Sequence, residues 1–155
     1  MADQSLIDKV VVFQTQNEEY GIPIQFVVSI EKLQPLTAVP NMPDYMNGVT
    51  TVRGEITPIL DTNQILYDKK TEQTDQTRMI ILHSADMTYG LIVDDAKEII
   101  NVPDSSIQQL NSIAALQNSF IMGVANLEGR LLTLIDPTKL INSLEGMTEV
   151  KLQLN

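Results

Sequence analysis

Gly48-Val49-Thr50-Thr51-Val52-Arg53-Gly54-Glu55-Ile56-Thr57-Pro58-Ile59-Leu60-Asp61 lies without a gap against Gly123-Val124-Ala125-Asn126-Leu127-Glu128-Gly129-Arg130-Leu131-Leu132-Thr133-Leu134-Ile135-Asp136. Apolar residues recur at the same offsets, and each stretch finishes on Asp. Upstream, Tyr20-Gly21 and Tyr89-Gly90 each follow an apolar run, Val10 to Phe13 and Met79 to Leu82. Six of the chain's seven glycines thus form three pairs: Gly21 with Gly90, Gly48 with Gly123, Gly54 with Gly129. Glycine serves where the backbone needs positive φ or close approach, so the pairs predict matched turns in one small β module written twice. Function is then expected where the two copies differ.

The flanking segments read as strands. Val10 to Gln14 is apolar and β-branched, the polar turn Gln16-Asn17-Glu18-Glu19 follows, and Tyr20 to Ile24 completes a hairpin. Ile24, Val27, Val28 and Ile30 fit either a helical turn or a further strand. Leu36 to Pro40 is extended, and Asn41-Met42-Pro43-Asp44 is a loop by its turn chemistry. Val49 to Val52 and Glu55 to Leu60 are strands around Arg53-Gly54, with Pro58 predicting an edge strand or bulge. Asp61 stands as N-cap to a short helix through Gln64, Ile65 and Leu66. Asp136 does the same before Pro137, the favoured first helical residue. The polar stretch Tyr67 to Thr77 connects the copies. Met79 to Leu82 and Tyr89 to Val93 repeat the hairpin, and Glu98 to Val102 is a further strand. Ile107 to Leu116 has mixed helical spacing, and Phe120 to Val124 leads into the second glycine motif. Beyond Ser143 the last helix either extends or frays, with Gly146 favouring a break.

Short strands at regular spacing with turn residues between them predict an all-β protein. The expected architecture is two SH3-like five-stranded β-barrels packed side by side, with short helices after Asp61 and Asp136. Residues 1–75 would form the first barrel and 76–155 the second, with exchange of terminal strands allowed.

Composition narrows the function. At 155 residues the chain can hold a real core. It has no cysteine, which removes disulfides, thiolate metal sites and cysteine nucleophiles and fits a reducing compartment. Met1-Ala2-Asp3-Gln4-Ser5 has neither a basic n-region nor an apolar h-region, so no signal peptide is expected. The apolar runs fall far short of the roughly 20 residues that span a bilayer. A net charge of −10 disfavours nucleic acid and anionic membranes as partners. His83 is the single histidine, and no carboxylate pattern forms a calcium loop, so no metal and no cofactor are expected. Phosphate-loop and nucleophile motifs are absent too. An enzyme reading would rest on His83 and the adjacent Asp94-Asp95, and the chain reads instead as a binding protein without catalytic residues.

Glu19-Tyr20-Gly21-Ile22-Pro23-Ile24, Val27 and Ile30, Val39-Pro40, Pro43-x-Tyr45-Met46-x-Gly48-Val49 and Arg53-Gly54-x-Ile56-x-Pro58-Ile59-Leu60-Asp61 follow one another in an order that resembles the CheW-like adaptor family of bacterial chemotaxis. Gly90-Leu91-Ile92-Val93-Asp94, Gly123-Val124 and Leu131 to Asp136 continue the resemblance, which runs from about Val10 to Ile141. It implies a cytoplasmic, non-enzymatic adaptor recruited to membrane receptor arrays. Its partners would be the cytoplasmic tip of methyl-accepting chemotaxis receptors and the regulatory domain of the histidine kinase CheA. An adaptor of another two-component system, such as pilus-based motility, is the alternative.

The resemblance also implies that the receptor's helical hairpin docks in a groove between the barrels. The matching positions are Ile24, Val27, Ser29, Gly48, Thr51, Arg53 and Gly54, a helix-in-groove mode with apolar anchors and a polar clamp. Arg53 would carry it, since its fork bonds carboxylate and carbonyl acceptors. Here Thr51-Val52 replaces the family's usual Asn-Leu, and Ser29 stands where an acidic residue often pairs with the arginine. Copy two carries Glu128 in place of Arg53. The kinase contact is expected on apolar residues of the second module around Tyr89, Gly90 and Gly123.

Overall fold

A computed structural model describes residues 9–108, 120–147 and 150. Eleven strands run in the order β1 (Lys9–Thr15), β2 (Glu18–Pro23), β3 (Val27–Lys32), β4 (Met46–Val52), β5 (Glu55–Asp61), β6 (Arg78–Ser84), β7 (Met87–Val93), β8 (Asp95–Asn101), β9 (Ile107–Gln108), β10 (Ile121–Leu127) and β11 (Arg130–Ile135). Helix α1 (Thr62–Tyr67) follows β5 and α2 (Pro137–Ser143) follows β11. Ile24 to Phe26 is a 3-10 turn that leads straight into β3, so this apolar run holds both the helical turn and the strand.

The strands form two sheets, β8-β1-β2-β11-β10-β9 and β3-β6-β7-β5-β4. Each builds one SH3-like barrel, called A and B below. Barrel B has five strands, and barrel A has the expected five plus the two-residue β9. The registers make the two equivalent. Gly21 lies opposite Val12 and beside Leu134 in a parallel pair, as Gly90 lies opposite Ile81 and beside Ile59. Ser29 faces Ile81 as Glu98 faces Val12, each next to a bulge. Gly48 faces Ile59 as Gly123 faces Leu134. Each barrel therefore combines the third, fourth and fifth strands of one copy with the opening hairpin of the other. Barrel B occupies residues 27–93 without interruption, and barrel A takes its strands from both sides of that stretch.

This exchange explains why Val10 to Phe13 and Met79 to Leu82 are apolar without alternation. Val10 and Val12 face the core of barrel A with Leu132 and Leu134. Met79 and Ile81 face the core of barrel B with Ile59 and Ile92. The intervening Val11, Phe13, Ile80 and Leu82 meet in a third core between the barrels, with Ile22, Tyr89, Leu91, Ile135 and Leu140. A strand buried on both faces has no polar side to show.

Polar groups also tie the barrels together. Thr15 Oγ1 donates to Asn63 Oδ1, while Asn63 Nδ2 donates to Thr71 Oγ1 (2.7 Å) and Asp94 Oδ1 (2.9 Å). Thr15 and Asn63 are fully buried. Tyr89 Oη donates to the Pro137 carbonyl at 3.0 Å, linking β7 to the start of α2. Burial pushes the Tyr89 phenol far above its usual range.

Both aspartate caps form. Asp61 accepts from Gln64 N (3.2 Å) and Asp136 from Thr138 N and Lys139 N (2.9 and 3.2 Å). The glycine pairs divide, however. Only Gly54 and Gly129 occupy turns, with φ of 82° and 91° beside Arg53 and Glu128 at 52° and 56°. Two consecutive positive φ values are the I′ hairpin geometry, which matches strand twist. Gly21 and Gly90 sit within strands, where an added Cβ would meet Leu134 Cδ2 at 3.1 Å and Ile59 Cδ1 at 2.7 Å. Their role is close approach. Pro58, expected to mark an edge strand or a bulge, lies in an inner strand. Strand β5 is flanked by β4 and β7, but the pairing with β7 begins only at Ile59, so Pro58 has a strand neighbour on one side alone. Of the predicted Ile107 to Leu116 helix, Ile107 and Gln108 are strand, and the remainder lies outside the described residues. Helix α2 ends at Ser143, and Gly146 adopts φ 82°.

Candidate protein-interaction site

The residues expected at the receptor surface fall into three groups. Ile24 is exposed in the 3-10 turn, and Val27 packs at the margin of the core between the barrels. Thr51, Arg53 and Gly54 are exposed on the β4–β5 hairpin. Gly48 is buried, with room for no side chain: a Cβ there would lie 2.6 Å from the Thr37 carbonyl oxygen. Its part is to let the segment after β3 bridge to β4 through the reciprocal Thr37–Val49 bonds, both 2.9 Å.

A chain of hydrogen bonds, invisible in the sequence, joins Ser29 to this hairpin. Ser29 Oγ donates to Glu31 Oε2 (2.9 Å), Gln34 Nε2 donates to Glu31 Oε1 (3.1 Å), and Thr50 Oγ1 donates to Gln34 Oε1 (3.3 Å). It crosses the seam of barrel B from β3 to β4, although the two strands stand at opposite ends of the sheet order. Among the described residues Arg53 makes no ion pair. Arg53 is exposed on a two-residue turn, and Glu31 in the seam is engaged by Ser29 and Gln34.

Barrel A differs at the matching place. Arg130 Nε bonds Glu19 Oε1 at 2.7 Å, and its Nη2 bonds Glu19 Oε2 at 3.2 Å and Glu98 Oε2 at 2.5 Å. The Arg130 hydrogen bond holds the Glu19 carboxyl below the ordinary carboxylate range against a smaller opposing desolvation, and the two glutamates keep Arg130 firmly protonated.

The residues expected near the kinase are buried. Tyr89 and Gly90 are not at a turn; they lie in mid-β7, and Tyr89 belongs to the inter-barrel core. Gly123 is buried against the Gln108 carbonyl. None of the three has a side chain exposed on the surface. The apolar surface lies elsewhere, and it repeats: Ile30 and Ile56 on barrel B are 40% and 64% exposed, and their counterparts Ile99 and Leu131 on barrel A are 54% and 60%.

His83 is exposed, with Nδ1 2.9 Å from Thr88 Oγ1. Asp94 accepts from Gln16 N and Asn63 Nδ2, both at 2.9 Å, so it serves the junction between barrels. Asp95 opens β8. No set of three or more acidic or histidine groups suited to a metal occurs among the described residues. No helix among them is long and apolar enough to cross a membrane.

Paired barrels with an exposed arginine on a hairpin turn and repeated apolar positions define a binding scaffold of the SH3-like class. Residues 9–145 match the model of the CheW-like domain, and the chain belongs to that family. It is 34% identical to the chemotaxis protein CheW of Bacillus subtilis, with 92% of each chain covered, and 30% identical to that of Klebsiella aerogenes, covering 94% of this chain and 88% of the relative. The scaffolding protein TtCheW from Thermoanaerobacter tengcongensis superposes with a TM-score of 0.79 at 27% identity over 90% of both chains.

Proposed function

We propose that this protein is a non-enzymatic adaptor of chemotaxis signalling that joins the cytoplasmic tip of methyl-accepting receptors to the regulatory domain of the histidine kinase CheA. The observation that carries the receptor half is the β4–β5 hairpin, where Arg53 is exposed beside Thr51 and makes no ion pair among the described residues, together with Val27 at the margin of the inter-barrel core and the exposed Ile24 before it. A helical hairpin laid along that core margin would cover the isoleucine and valine and meet the guanidinium with its acceptors. The kinase half is assigned to the exposed Ile99 and Leu131 of barrel A, since a barrel-to-barrel joint needs an apolar centre. Such an adaptor works from the cytoplasm and joins receptor arrays through its partners.

Co-purification with a kinase regulatory domain and a soluble receptor-tip fragment tests the reading. The expected result is a three-component complex. Arg53→Glu should lower receptor-tip affinity by at least tenfold with an unchanged melting temperature, while kinase binding persists. Unaltered receptor binding by that variant would remove Arg53 from the site.

A further inference from the structure

The Ser29–Glu31–Gln34–Thr50 chain stands where barrel A is apolar. Register places Glu31 opposite Met79 as Ile100 lies opposite Val10, and Thr50 opposite Thr57 as Ala125 lies opposite Leu132. Barrel A closes the same seam with Ile100 packed on the cluster of Val10, Ala125 and Leu132. Apolar packing is therefore enough to close this kind of barrel, and the polar chain of barrel B does something that folding alone does not demand. Residues opposite one another share a face of the sheet. Ser29 and Glu31, opposite Ile81 and Met79, thus turn toward the interior of barrel B. Val27, opposite Leu82, turns to the side of the core between the barrels.

The surface assigned to the receptor is built from two pieces that no strand ladder joins. Ile24 and Val27 lead into β3, whereas Thr51 and Arg53 belong to β4 and its turn, at the other end of the sheet order. Across the seam β3 and β4 run antiparallel, because β3–β6, β6–β7 and β5–β4 are antiparallel and β7–β5 is parallel. From the level of Glu31 and Thr50, β3 leads back to Val27 and β4 leads on to Arg53, at the same end of the barrel. The seam is spanned by Thr50 bonding Gln34 (3.3 Å) and by Gln34 and Ser29 bonding Glu31 (3.1 and 2.9 Å). Resting on the receptor reading above, we infer that Glu31 and Gln34 are positioning residues for Arg53: the chain holds the β4–β5 hairpin at a set distance from β3, so that the guanidinium and the apolar residues meet the receptor tip together. Ser29 then acts from inside the barrel and not by touching the receptor. A binding constellation needs neighbouring hydrogen bonds to hold it within about 0.5 Å. Such preorganisation raises affinity because less freedom is lost on binding.

The test is a double-mutant cycle of Gln34→Ala and Arg53→Ala on the full chain, read by calorimetric titration with a soluble receptor-tip fragment. Gln34→Ala breaks the middle of the chain and changes no residue of β3 or β4. It should weaken tip binding about five- to tenfold, with binding of the kinase regulatory domain unchanged. Arg53→Ala should then cost less affinity in the Gln34→Ala background than in the wild type. Glu31→Ile/Thr50→Ala installs barrel A's residues, should stay native by circular dichroism and melting, and should show the same loss. Glu31→Gln keeps the acceptor for Gln34 and offers Nε2 to the Ser29 hydroxyl, so it should recover the affinity. Additive effects of Gln34→Ala and Arg53→Ala overturn the inference while leaving the receptor reading intact, as does a folded Glu31→Ile/Thr50→Ala that binds the tip like the wild type. A matching loss of kinase-domain binding overturns it too, because the change is then general. A wild type that does not bind the tip, or Arg53→Ala that binds it normally, removes the receptor reading and the inference with it. If every variant with a broken chain unfolds, the chain is a requirement of the fold and the positioning role is refuted.

Discussion

Asp61 and Asp136 end equivalent strands and cap equivalent helices, so replacing each with alanine isolates what the surroundings of barrel B add to one cap. Asp136 accepts two backbone N–H bonds at the N-terminus of α2 and is partly exposed. Losing such a cap costs about 1 kcal/mol. Asp61 accepts one N–H bond from α1 and two more from Thr71, through N (2.9 Å) and Oγ1 (2.7 Å), and is 1% exposed. Asp61→Ala loses the cap and also strands the Thr71 donors, each worth about 1–3 kcal/mol when left unpaired and toward the lower figure here because Thr71 is half-buried. The total is about 3 kcal/mol. For a chain of this length each kcal/mol moves the melting temperature by about 2–4 °C. Asp61→Ala should therefore lower it by about 6–12 °C and Asp136→Ala by about 2–4 °C. Urea unfolding with an unchanged m-value gives the free energies directly. Equal losses for the two variants would refute the claim that Thr71 and burial, rather than capping, dominate at Asp61.

Tyr89→Phe removes the donor to the buried Pro137 carbonyl and should cost about 1–2 kcal/mol in urea unfolding. Gly90→Ala places a Cβ 2.7 Å from Ile59 Cδ1, whereas Gly21→Ala approaches nothing closer than 3.1 Å. Overpacking at Gly90 should make that variant about 1 kcal/mol less stable than Gly21→Ala in the same assay. The depressed Glu19 carboxyl stabilises the fold above its ordinary value of 4.5, and that contribution is lost as pH falls through the lower folded-state value. Melting temperatures measured on either side of pH 4.5 should fall less steeply for Glu19→Gln than for the wild type, with the difference shrinking in high salt because the pair is partly exposed.

The elements were legible because each is written twice. The Asp61 and Asp136 caps, the Arg53-Gly54 and Glu128-Gly129 turns and both opening hairpins follow from local chemistry. What the repeat conceals is partnership. Gly21 can sit beside Leu134 or beside Ile59 with the same pattern, because both strands carry the same alternation; the three-dimensional exchange is decided by the core between the barrels. That core is also why Tyr89, which resembles a surface aromatic next to a glycine, is buried. At the candidate site the sequence marks Arg53 through its contrast with Glu128. The Ser29–Glu31–Gln34–Thr50 chain and the Arg130 triad stay hidden, since each joins residues from strands that only the barrel brings together.

The uninterrupted placement of barrel B inside barrel A imposes an order on the newborn chain. All five strands of barrel B have been synthesised once residue 93 emerges, whereas β2 has no parallel neighbour until β11 is complete at Ile135. Until β8 emerges to pair with β1, Val10 to Phe13 belong to a two-stranded hairpin, an element too small to be stable alone. Covering them early requires barrel B, whose strand β6 supplies the facing Ile80 and Leu82. Barrel B thus acts as template and shield for the earliest apolar segment, and a ribosome stalled between residues 101 and 121 would hold one finished barrel with an unclosed three-stranded sheet, β8-β1-β2, docked against it.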